Sequence, residues 1–60
     1  MKQEMVNKIR ELAIKRKSVM TQKEMSEVSG VSRSNIANFE AGRVNNMYLY
    51  DLYLDMFKDT

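Results

Sequence analysis

From Thr21 to Gly42 the chain reads TQKEMSEVSGVSRSNIANFEAG: two short segments, each opening on a hydroxyl residue or just behind one, and each closing at one of the sequence's two glycines. Thr21 stands where a helix N-cap belongs, and Glu24, three residues on, completes a capping box. Gly30 can take the left-handed conformation that ends helices, so the first of the two should stop near Ser29. Ser32 caps the next helix at once, and Gly42 ends it. Two helices joined this tightly cross at a steep angle, so that one braces while the other projects. Close crossing needs small residues at the meeting point, and Ser26, Ser29 and Gly30 supply them.

The flanks complete a four-helix, all-α plan with no proline and no internal repeat, a single domain over residues 1–60 with its helix-turn pair at 21–40. In the first helix Met5, Val6, Ile9, Leu12 and Ala13 form one apolar stripe, from which Ile14 falls away, and the cluster KRKS ends the run with positive charge. The second helix is expected to bury Met25 and Val28, the third Ile36 and Phe39. RVNN reads as a loop, and Asn46 can cap a last helix from about Met47 to Phe57. Its spacing gives two apolar stripes: Leu49, Leu52, Tyr53 and Met56, and then Met47, Tyr50, Leu54 and Phe57. A surface helix needs one stripe for its own core. Either stripe could face inward on spacing alone. Met47, Tyr50, Leu54 and Phe57 are expected to form a homodimer interface, the alternative being that both stripes wrap over the domain's own small core.

Composition removes several functions. Sixty residues bury little more than half of their unfolded surface and leave little material for a cleft. Without cysteine or histidine there is no disulfide, no thiolate metal site and no imidazole base, so neither an enzyme nor a metal or other cofactor is expected. No segment reads as a signal peptide or a membrane span, which points to a cytoplasmic protein. Charge is uneven: residues 1–20 carry six Lys/Arg against two Glu, residues 44–60 one Lys against three Asp. A basic front and an acidic tail suit a polyanion on one side, although from charge alone a solvated helix surface is slightly the better explanation.

With Ile36 and Phe39 facing inward, the outward arc of the third helix holds Arg33, Ser34, Ala37 and Asn38, with Asn35 at its edge. Arg can bridge guanine O6 and N7, Asn can pair with adenine, and Ser serves either. Gln22 opens a helix whose N-terminal amides can hold an anion. Ser32 is first a cap and second a contact, and Arg43, in the following loop, suits a phosphate. Lys17 and Lys23 read as solvated.

The stretch resembles the helix-turn-helix of the Cro/CI-like (lambda-repressor-like) phage-repressor family. The resemblance rests on Thr21-Gln22, Met25, Ser26, Gly30-Val31-Ser32, Ile36, Phe39, Glu40 and Gly42, close over residues 21–43 and looser over 5–20 and 44–57. It implies that Gln22 touches the DNA backbone, that Arg33 and Ser34 read bases, and that Asn38 reads one turn later. It also implies a basic partner for Glu40, for which Lys15 and Arg16 both qualify. The link KRKSVM lacks the family's usual glycine and reads as about two residues longer than its commonest form. Asn46 stands where proline is frequent, and the chain reaches Thr60 without room for the fifth helix many members carry. The implied function is a small repressor, dimeric on a pseudo-palindromic double-stranded operator, with no small-molecule ligand evident. The rival is a protein-interaction module, such as an antitoxin or antirepressor, that uses the last helix.

Overall fold

The computed structural model describes residues 2–60. They form four helices, α1 (Gln3–Val19), α2 (Gln22–Ser29), α3 (Arg33–Glu40) and α4 (Met47–Phe57), and no strand occurs among the described residues. The protein is a small four-helix all-α domain.

The helix ends follow from local chemistry. Thr21 Oγ1 accepts from the Glu24 amide at 3.1 Å while the Thr21 amide donates to the Glu24 carboxylate at 2.9 Å, a reciprocal capping box. Gly30, at φ 73°, closes α2. Ser32 Oγ accepts from the Asn35 amide at 3.3 Å, and Asn46 Oδ1 accepts from the Leu49 amide at 3.1 Å. At the end of α3 the Gly42 amide donates to the Phe39 carbonyl and the Arg43 amide to the Asn38 carbonyl, each at 3.0 Å. That pair of bonds around a left-handed residue is a Schellman motif. Gly42 is required there twice over. Its φ is 76°, and a Cβ would lie 3.0 Å from Val6 Cγ1 of α1.

The first helix runs further than its charge suggests. The residues KRKSV continue α1 to Val19, and only Met20 and Thr21 separate it from α2. The Met20 amide still donates to the Arg16 carbonyl at 2.8 Å, so the supposed long link is mostly helix.

Packing sets α1 against α3 and α4, and α2 against α3. The core holds Ile9 and Leu12 from α1, Met25 from α2, Ile36 and Phe39 from α3, and Leu49, Tyr53 and Phe57 from α4. Phe39 meets Tyr53 edge-on at 5.1 Å between ring centroids, and Tyr53 meets Phe57 at 5.4 Å. This aromatic file joins the two C-terminal helices.

Two expectations are corrected by this core. Val28 is 58% exposed, because α2 turns inward along Met25 and Ser29, one full turn apart. The last helix does not divide into two stripes. Its inward line is Leu49, Tyr53 and Phe57, which lies between them and draws residues from both. Leu52 and Met56 flank it on one side, Tyr50 and Leu54 on the other, all four partly buried against the core. Phe57, expected at a dimer interface, is 1% exposed and belongs to the monomer's core. Met47 remains outside, at 52% exposure.

Candidate functional site

The third helix is held from behind by one carboxylate. Glu40 accepts from Arg16 Nε at 2.8 Å and from Arg16 Nη2 at 2.7 Å, a two-pronged ion pair whose side chains are 6% and 9% exposed. The Tyr53 hydroxyl donates to the same carboxylate at 2.5 Å, and Gln22 Nε2 approaches it at 3.4 Å. The remaining prong of Arg16 donates to the Met20 carbonyl at 2.8 Å. One carboxylate thus ties residues of α1, α2 and α4 to the end of α3.

This settles the partner of Glu40 as Arg16. Lys15 turns aside, its ammonium donating to the Lys58 carbonyl at 3.1 Å. Arg16 follows Ile9 and Leu12 on the buried face of α1, so its stem continues the stripe to the spot where a charge is needed.

The network has a defined response to pH. Burial opposes ionisation of Glu40, but the hydrogen bonds from Arg16 and Tyr53 outweigh it and hold the carboxyl below its ordinary 4.5. The backbone amide and hydroxyl of Thr21 likewise lower Glu24. Burial, and then the Glu40 carboxylate, push the Tyr53 hydroxyl up from 10.0. Lowered carboxyls stabilise the fold above their ordinary value, and that stability drains away as pH falls below 4.5 toward their folded values. A raised phenol stabilises it fully below 10.0, and that contribution is lost as pH rises beyond. The urea midpoint is therefore expected to fall on both sides of a central plateau, with Tyr53→Phe flattening the alkaline side. An unchanged alkaline fall in Tyr53→Phe would contradict this assignment.

In front of that anchor, α3 presents Arg33, Ser34 and Asn35 exposed and Asn38 half-buried, beside the small Ala37. Ser32 is exposed as well, its hydroxyl serving the Asn35 cap. Arg43 lies at the far end of the arc, with Nη1 donating to Asn38 Oδ1 at 3.3 Å. Gln22 and Arg33 share the wall of an open groove of about 520 Å³ with Ala13, Ile14, Lys17, Thr21 and Glu40. The groove thus unites Gln22 and Arg33 with Lys17, a cation the sequence pattern left among the solvated ones. No group of acidic side chains among the described residues could hold a metal ion, and no described helix is long and apolar enough to cross a membrane.

Sequence reasoning missed the Tyr53 hydroxyl and the Tyr48 hydroxyl, which donates to the Ser29 carbonyl at 2.7 Å. The second bond fastens the start of α4 to the end of α2. Three tyrosines in one apolar helix were a signal for polar tips in need of partners, though not for which partners.

Comparison with protein-family models, with curated proteins and with solved structures finds no match to this chain.

Proposed function

We propose that the protein binds double-stranded DNA sequence-specifically, as a small transcriptional repressor of the Cro/CI type. The observation that carries this reading is the outward arc of α3: Arg33, Ser34 and Asn38 are polar, face away from the core, and ride on a helix pinned from behind through Glu40. A short projecting helix centred on Ala37 suits the wide major groove, where Arg33 can bridge guanine and Ser34 and Asn38 can reach neighbouring base edges. Gln22, Lys17 and Arg43 flank the arc and suit phosphates, with Ser32 and Asn35 at its margin.

One such helix makes few base contacts, so the repressor acts as a homodimer on a pseudo-palindromic operator. Two copies of α3 then enter successive major grooves, about 34 Å or 10 base pairs apart. Met47, with the exposed edges of Tyr50 and Leu54, forms the joint, and Phe57 takes no part in it. Repression, by covering DNA that a polymerase needs, and a place in a bacterial cytoplasm both come from the family resemblance.

The test is binding to a duplex selected from random sequence, against a scrambled duplex, across a range of salt. Arg33→Ala and Asn38→Ala are each expected to cost about 1–3 kcal/mol on the selected duplex and much less on the scrambled one. Each phosphate neutralised is expected to add about 0.9 to the slope of log affinity against log salt. Equal losses on both duplexes would reduce these residues to backbone contacts, and salt-insensitive binding would remove the reading.

A further inference from the structure

We propose that Arg43 sets which base Asn38 reads, by holding the acceptor end of its carboxamide. This rests on the reading of α3 as a DNA-contacting helix and adds to it a positioning residue outside that helix.

Two independent features place the two side chains together. The Schellman bonds fold the chain back on α3, the Arg43 amide meeting the Asn38 carbonyl at 3.0 Å. In that motif the residue after the left-handed glycine lies over the helix residue five positions earlier. The turn cannot drift readily, because Gly42 is fixed at φ 76° with Val6 packed beneath it. The side chains then meet on their own account, Arg43 Nη1 donating to Asn38 Oδ1 at 3.3 Å. A guanidinium carries donors only, so the oxygen end of the carboxamide must face it and the nitrogen end must face away. Arg43 forms no ion pair among the described residues that would draw it elsewhere.

The consequence is chemical. A free asparagine pairs with adenine through both ends, accepting from N6 and donating to N7. With Oδ1 turned toward Arg43, Asn38 presents the two donors of Nδ2. The base edge that offers two neighbouring acceptors to a pair of donors is guanine, through O6 and N7, whereas thymine offers O4 alone. Asn38 backed by Arg43 therefore favours guanine, and Asn38 released from it favours adenine.

Selection from randomised duplexes by the wild-type chain and by Arg43→Ala tests this. The wild type is expected to enrich guanine at one position of each half-site. In Arg43→Ala that position is expected to turn to adenine, a swing of about tenfold in relative affinity, with the other positions unchanged. Arg43 is exposed, so thermal melting should stay the same, and the Asn38 side-chain amide resonances of the DNA-free protein should shift. A phosphate contact by Arg43 would lower affinity for all sequences alike and leave the base choice untouched. If Arg43→Ala keeps guanine at that position, Arg43 does no more than meet phosphate and the inference is overturned while DNA reading stands. A wild type that enriches no sequence would instead overturn DNA reading itself, and this inference with it.

Discussion

Glu40→Ala is expected to unfold the domain. The substitution leaves the guanidinium of Arg16, whose side chain is 6% exposed, without its carboxylate and strips the Tyr53 hydroxyl of its acceptor. Removing one member of a buried ion pair costs about 3–5 kcal/mol, because the other charge stays behind unpaired. A chain of 60 residues has roughly 3–9 kcal/mol in total at the usual stability per residue, so such a loss consumes most of it. Circular dichroism at 222 nm should show a largely unfolded chain at 37 °C. The pair itself need not add net stability. The triple change Arg16→Met, Glu40→Leu and Tyr53→Phe removes every unpaired group together and should recover much of the loss. A Glu40→Ala protein that melts like the wild type would mean that the carboxylate does not hold the helices together.

The second large effect is expected at Phe57. It closes the aromatic file Phe39–Tyr53–Phe57, and truncating a buried phenylalanine costs about 3–5 kcal/mol. Phe57→Ala should therefore lower the urea midpoint sharply at any protein concentration. Substitutions at Met47, which is exposed, should instead leave the monomer's stability nearly unchanged and act on self-association. Were Phe57→Ala to keep the wild-type midpoint and alter only the oligomeric state, the side chain would belong to an interface after all.

These two positions mark where the sequence was legible and where it was not. Each feature decided within one turn of chain could be read directly. The Thr21–Glu24 box, the Ser32 and Asn46 caps and the two left-handed glycines depend on neighbours in sequence, and all occur as their residue types require. The phase of α4 could not be read, because an apolar helix with Tyr and Met on several sides fits a core in more than one rotation. Its choice of Leu49, Tyr53 and Phe57 depends on where Phe39 and Glu40 wait for it, on another helix. Val28 failed for a similar reason: apolar spacing alone does not say whether α2 turns in along Met25 and Val28 or along Met25 and Ser29. The choice of Arg16 over Lys15 required knowing how far α1 continues. Of the candidate site, the outward face of α3 followed from helix phase alone, whereas the hold of Arg43 on Asn38 depends on a chain reversal at Gly42.

The central claim is that α3 meets DNA, and a nitrogen–proton correlation spectrum recorded during titration with the selected duplex tests it residue by residue. Shifts are expected to concentrate at Gln22, Arg33, Ser34, Asn38 and Arg43, while the buried residues of α1 move little. Shifts confined to α4, or no shifts at concentrations well above those of specific binding, would contradict the account.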